Sequence, residues 1–402
     1  MKIALKGKKI FTGLEAIENG VVLIKDNLIE KVINSSKKSD IPEGYEFYEF
    51  ADCTILPGLI DSHSHISLSA QRENYAKGTK DDVYTRLIRG VSNIRVDLLS
   101  GVTTLRCLGE RDFIDVPVKE SVEKGLIPGP RILISGKGIK TSYGHGLMGT
   151  SFNGVDEVRK ASRINISEAG ADLLKIYVSG SKGEFKNYKF SAEKDIERNE
   201  MQPLMTLEEI KAVVEVAHSV GKKVSAHCYG GVGLKRCVEA GVDVIDHGIY
   251  LNDEEIELML QNKTWVTLTC SGFLDDKRIE NRGTPELTKG FIKFREDIKK
   301  TYEKVVNSGL RYGLGSDGMH GAFYYELKTL VGLGVKPIQA LKAATSEAAA
   351  LCDVEDRIGT LEENKFADII VVKGDPLQDI SQINNIVAIY KDGVRVDNLS
   401  VL

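Results

Sequence analysis

Between residues 57 and 357 the chain repeats one pattern eight times: an apolar, strand-like run, then a stretch compatible with a helix. The runs end near His65, Arg106, Gly136, Ser179, Cys228, Gly248, Ser271 and Asp317. Alternation of this kind specifies an α/β fold, and eight βα units are the number that closes a TIM (β/α)8 barrel. One unit shows the grammar in full. Thr206 and Glu209 have the spacing of a capping box, Leu207, Ile210, Val213, Val214 and Ala217 mark one helical face, and Gly221 stops the helix before the strand at 223–228.

The two ends of the chain read differently. Residues 2 to 56 lack a helical period and break into strand-like runs at 2–5, 9–12, 21–26, 28–32 and 45–50. Similar runs recur at 367–372, 386–390 and 394–396, with a Gly374-Asp375-Pro376 turn after the first. The simplest arrangement joins both termini in one small β-sandwich, residues 1–56 and 358–402, split by a barrel over residues 57–357.

Composition narrows the chemistry. Lys plus Arg is 54 and Asp plus Glu is 58, a net charge of −4, so neither nucleic acid nor an anionic membrane is an expected partner. A small-molecule substrate is. The six cysteines, at 53, 107, 228, 237, 270 and 352, make no Cys-x-x-Cys pair and read as reduced thiols. Lysines interrupt the first apolar run before a signal-peptide core forms, and no apolar run approaches membrane-spanning length, so a cytoplasmic location is expected.

At the end of the first barrel strand stand His63 and His65. Residues i and i+2 of a strand point to the same side, so both imidazoles face one spot, which is half of a metal site. Polar residues at other strand ends complete the pattern: Lys175 on the fourth, His227 on the fifth, His247 on the sixth and Asp317 on the eighth. The C-terminal ends of barrel strands are where such enzymes build their sites. A single histidine there is ordinary; several with an aspartate on one mouth point to a metal.

These residues sit in segments that resemble the amidohydrolase superfamily, metal-dependent hydrolases on a TIM barrel beside a small β-sandwich. The resemblance spans nearly the whole chain. It is carried by Pro57-Gly58-Leu59-Ile60-Asp61-Ser62-His63-Ser64-His65, Gly101-Val102-Thr103-Thr104, Ala171-Asp172-Leu173-Leu174-Lys175-Ile176, Ala226-His227, Asp246-His247-Gly248 and Gly315-Ser316-Asp317. Ala226-His227-Cys228-Tyr229-Gly230, His320-Gly321 and Glu326-Leu327 look most like the branch of Xaa-Pro dipeptidases and arginine or lysine carboxypeptidases.

The resemblance implies two divalent ions, zinc by ligand type, with His63 and His65 on one, His227 and His247 on the other and Lys175 bridging them. An ammonium cannot ligate a cation, and the ordinary alternative for Lys175 is a salt-bridging barrel lysine. Carbon dioxide would convert Lys175 to a carbamate, and its place in an apolar strand would depress its pKa and supply the neutral amine this needs. A hydroxide bridging ions about 3.5 to 4 Å apart would attack the carbonyl. Asp317 would ligate, accept the proton and pass it to the leaving nitrogen. His145, Tyr229 and His320 match substrate-binding positions, for an α-carboxylate and the carbonyl oxygen.

The expected activity is hydrolysis of a peptide or N-acyl bond to release an amino acid. A deaminase or cyclic amide, urea or lactone hydrolase is the alternative, and a non-enzymatic scaffold the remote one. A homo-oligomer is expected by family analogy. Asp246 and Cys107 stand where relatives commonly carry Glu and Asp, and neither is expected to touch the ligands. The segments 180–203 and 273–290 are candidate lids or specificity loops. His218 reads as structural, and Cys228 and Cys270 as packing residues.

Overall fold

The computed structural model describes residues 1–34, 37–69, 78–142, 144–146, 148–180, 203–280 and 285–396. Strands β1 (Lys2–Phe11), β2 (Ala16–Glu18), β3 (Gly20–Lys25), β4 (Leu28–Asn34) and β5 (Glu46–Pro57) open the chain. The barrel region carries β6 (Leu59–Ser64), β7 (Val102–Cys107), β8 (Arg131–Ile134), the short β9 (Gly138–Lys140) and β10 (Gly149–Ser151), then β11 (Leu174–Tyr177), β12 (Val224–Cys228), β13 (Val244–His247), β14 (Trp265–Leu268) and β15 (Tyr312–Leu314). Strands β16 (Ile369–Lys373), β17 (Ile386–Lys391) and β18 (Val394–Arg395) close it.

Both termini do meet in one sheet, in the order β18-β17-β16-β5-β1-β3-β4 with β2 on β1. Its residues alternate between faces with the period of a strand. Ile3, Leu5, Val22 and Ile24 enter one apolar cluster with Ile55 and Val371, while Ala4, Val21 and Leu23 enter another. The two expected runs at 2–5 and 9–12 are a single strand, β1, whose register against β5 shifts between Gly7 and Lys9. The polar residues that read as a turn lie at that irregularity.

The barrel strands pair in parallel in two arcs, β6-β7-β8 and β9-β11-β12-β13-β14-β15. Side-chain and loop hydrogen bonds join the arcs. At one seam the Ser62 hydroxyl donates to the Leu314 carbonyl at 2.7 Å, and the Asp317 N–H donates to the His63 carbonyl at 2.8 Å. At the other, Asp172 donates its N–H to the Ile134 carbonyl and accepts the Ile134 N–H at its carboxylate. Together with helices packed outside, this is the TIM barrel that the eight-fold alternation predicts. Ile132, Ile176, Ala226, Ile245, Val266 and Leu314 are buried in one core with those helices.

The capping box is present: Thr206 and Glu209 satisfy each other's backbone at the start of the helix Leu207–His218. Of the two candidate loops, residues 181–202 lie outside the described residues. The second is largely helical, with Ser271–Leu274, Asp276–Glu280 and Pro285–Asn307. Among the described residues no helix is long and apolar enough to cross a membrane.

Candidate metal centre

Parallel register sets His227 opposite Asp246, one residue short of His247. Tyr177 on β11 is opposite His227 on β12, and Cys228 opposite His247 on β13. On β6 the residues of one face are Asp61 and His63, with His65 just past the strand's end. Asp61 spends its carboxylate on Ser316, accepting the Ser316 N–H at 2.9 Å and its hydroxyl. That pins the Gly315-Ser316-Asp317 segment to β6. Gly315 is required there, since a Cβ would fall 2.3 Å from the His63 Cβ.

His63, His65, Lys175, His227 and His247 are all buried, at 5% exposure or less. His63 Nε2 lies 3.2 Å from the Asp317 carboxylate and His65 Nε2 3.6 Å from it. The ring centroids of His63 and His247 are 4.8 Å apart, and those of His227 and His247 4.7 Å apart. One ligand atom each from His63, His247 and Asp317 lie within 4.8 Å of one another. This tight group draws one histidine from each of the pairs that the resemblance assigns to separate ions.

The outer nitrogens are occupied in an orderly way. His65 Nδ1 is 3.2 Å from the Gly109 carbonyl and His247 Nδ1 is 2.8 Å from the Thr269 hydroxyl. Such contacts fix which nitrogen is left to face an ion. Nε2 of His227 is buried without a hydrogen bond, and the two nitrogens of His63, buried as well, face only the Asp246 and Asp317 carboxylates at 3.2 Å. A bare buried nitrogen is costly in an apolar setting and is what a divalent cation would satisfy, so the donor set fits the ion.

Charge states at three of the four histidines favour ligation. Burial pushes the His65 imidazole down to about 3. Burial also holds His227 and His247 well below the usual histidine range, with His145 adding to the effect on His227. Neutral rings offer lone pairs. For His63, burial pulls down most strongly, but the Asp246 and Asp317 carboxylates together outweigh it, and the net shift is upward. Burial lowers Lys175 against the pull of Asp246. Burial would raise Asp246, but Lys175 and His63 hold it well below the carboxylate range.

Asp246 therefore corrects the expectation that it stands apart from the ligands. Its carboxylate accepts the Lys175 ammonium and lies 3.2 Å from His63 Nδ1. Strand alternation would send Asp246 and His247 to opposite faces. His247 has φ of 73°, a left-handed backbone that breaks the alternation, so both reach the interior. Beneath Asp246, the buried Arg106 holds the Ser62 carbonyl at 2.7 Å and sits 3.6 Å from the Asp246 carboxylate, and Ser225 donates to the same carboxylate. Arg106 stood in the sequence only as the end of a strand.

The substrate-binding candidates divide. His145, half-buried, stacks on His227 with ring centroids 4.1 Å apart. Tyr229 is buried, its ring 4.7 Å from that of His227 and 5.5 Å from that of His247. Phe273 and Tyr250 extend this aromatic wall, each 6.2 Å from the Tyr229 ring. His320 is engaged elsewhere. Its Nδ1 is 2.7 Å from the Asp97 carboxylate and its Nε2 is 3.2 Å from the His65 carbonyl, so the ring supports His65 and has no nitrogen left for substrate. His218, out on its helix, pairs with Asp243. All six cysteines are free thiols, and Cys228 and Cys270 are buried.

The sequence profile of the amidohydrolase family matches residues 54–396. Ochratoxinase of Aspergillus niger is 26% identical, with 91% of this chain aligned to 80% of that protein. Imidazolonepropionase of Desulfotalea psychrophila is 23% identical over 94% of this chain and 92% of its own length. Among solved structures, a Xaa-Pro dipeptidase with methionine bound in its active site superimposes with a TM-score of 0.86 at 29% identity, covering 98% of this chain and all of that one.

Proposed function

The chain belongs to the amidohydrolase family, and from that premise we propose that it cleaves a peptide or N-acyl amide bond and releases a free amino acid. The observation that carries this reading is the convergence of His63, His247 and Asp317 on one buried point, with His65, His227 and Lys175 around it. The set would hold two divalent ions, for which zinc is the best match to imidazole and carboxylate donors. Bound there, the ions would polarise the scissile carbonyl and bring the pKa of water down to about 7.

The chain's own residues supply the rest. Asp317, beside both His63 and His65, is the general base that takes the proton from water and the acid that gives it to the departing nitrogen. Lys175, its amine pushed toward neutrality by burial, would form an N–C bond with carbon dioxide and lose a proton, giving an anionic oxygen donor that could help hold the ions. His145 and Tyr229 flank His227 and would bind the α-carboxylate and the carbonyl oxygen of the substrate. Likeness to the Xaa-Pro dipeptidase and to ochratoxinase supports this assignment.

A second reading, hydrolysis of a cyclic amide with one ion, is favoured by the tight three-atom group, which suffices for a single metal. Likeness to imidazolonepropionase supports it. The test is release of amino acid from a panel of dipeptides and N-acyl amino acids by zinc-loaded protein of measured metal content. Turnover with two ions per chain is the expected result. No turnover by protein holding one ion, with activity on imidazolones or other cyclic amides, overturns it in favour of the second reading.

A further inference from the structure

Glu110 lies three residues beyond the end of β7, outside the ligand set, and is wholly buried. A buried carboxylate is costly unless hydrogen bonds replace its water. Here the replacements are specific. The two carboxylate oxygens accept the Ser67 N–H at 3.1 Å and the Ser67 hydroxyl at 2.6 Å, and the Cys107 thiol lies 3.7 Å away. Ser67 is two residues past His65. Gly109, immediately before Glu110, is the residue whose carbonyl meets His65 Nδ1. One dipeptide thus touches the ring of His65 through its backbone and the chain leaving His65 through a side chain.

That dipeptide has little freedom to shift. Gly109 has φ of 94°, and a Cβ on it would fall 2.9 Å from the Gly138 Cα. The segment it grips needs gripping, because β6 ends at Ser64 and ladder bonds hold nothing beyond. From the other side the helix Val83–Leu99 holds the carbonyls: Asn93 donates to Ile66 and Leu68 at 2.7 and 2.9 Å, and Arg89 donates to Ser67 at 3.0 Å. The N–H and hydroxyl of Ser67 are left to Glu110.

We propose that Glu110 is a positioning residue for His65, locking Ser67 to the Gly109–Glu110 turn so that Nδ1 stays on the Gly109 carbonyl and Nε2 faces Asp317. This rests on reading His65 as a metal ligand. The helix holds the carbonyls without using Glu110, so a change at Glu110 is expected to release the ring while leaving the segment's main hold in place. Glutamine at 110 has one acceptor where glutamate has two: its amide oxygen keeps the Ser67 N–H, while the Ser67 hydroxyl has to turn and accept from the amide nitrogen, so a charge-assisted bond becomes a neutral one.

The test uses the full-length, zinc-loaded protein, Glu110→Gln and Ser67→Ala. Metal per chain is measured after equilibration with graded chelator, and the visible absorption of the cobalt-substituted proteins is recorded. Expected are a loss of affinity for one ion in both variants, about 10- to 100-fold in the more affected one, and an altered cobalt band in both. Variants that are less heat-stable but keep wild-type metal affinity and spectrum overturn the proposal and leave Glu110 a structural residue. If Glu110→Gln fails to fold, Ser67→Ala decides by the same criteria. Wild-type protein that takes up no metal overturns the metal reading, and this proposal with it.

Discussion

In the sheet built from both termini, Ile3, Leu5, Val22, Ile24, Ile55 and Val371 are buried against one another. At the mouth of the barrel His63, His65, Lys175, His227, Asp246 and His247 are buried just as completely. The first set is stable because each side chain leaves water for apolar neighbours, at roughly 25 cal/mol per Å². The second set gains nothing of that kind. Each polar atom there needs a partner, and the partners come from other strands: Asp246 for Lys175, Gly109 for His65, Thr269 for His247. The comparison separates a region whose burial is its function, which is stability, from one whose burial serves chemistry and has to be held by surrounding contacts.

If that separation is right, changes in the two regions have different readouts. Lys175→Ala should reduce kcat/KM by about 10³-fold or more, equivalent to ~4 kcal/mol, with metal content falling below two ions per chain. Full metal and full turnover in this variant would break the contrast at its strongest point. In the sheet, Leu5→Ala should lower unfolding free energy by about 2–5 kcal/mol in denaturant titration, while the folded protein keeps wild-type metal content and activity. A drop in metal content would show that the sheet and the mouth are not independent.

A third measurement concerns a carboxylate behind the mouth. Burial raises Glu326 from 4.5 to about 7 against the opposing pull of Arg278 and Ser271. The folded state therefore holds this proton more tightly than the unfolded chain does. The associated stability is present below the unfolded pKa and is lost as pH rises through the folded one, by about 3 kcal/mol across that window. Glu326→Gln should flatten the fall in stability between pH 4.5 and about 7, read as the pH slope of the urea midpoint. An unchanged slope would sink the assignment. The smallest effect belongs to a site remote from both regions. Thr206→Ala should cost about 1 kcal/mol through loss of the helix cap, with no change in metal affinity.

Much of the fold was legible because local period reports it. The βα alternation located the barrel strands, and the capping box located one helix start to the residue. The His-x-His spacing placed His63 and His65 together, and strand ends placed Lys175, His227, His247 and Asp317 on the same mouth. Where the reading fell short, the backbone departed from its period. The runs at 2–5 and 9–12 belong to one irregular strand, and the left-handed φ of His247 brings its ring inward beside Asp246. Glu110 gave no signal at all, because a lone glutamate after a strand reads as a solvated loop residue.

The sequence by itself determined the types of the residues at the mouth and, for His63 and His65, the face of the strand that bears them, since side-chain direction follows from a period of two or 3.6 residues. It also determined that the two termini are strands without a helical period and that the middle alternates strand and helix. Only the tertiary structure decided who meets whom. Lys175 and Asp246 are 71 residues apart in the chain, His320 and Asp97 are 223 apart, and Ser316 and Asp61 are 255 apart. A period tells which way a side chain points and nothing about what stands opposite, which depends on the closure of the barrel. That is why His320, expected at the substrate, is instead held by Asp97 beneath His65.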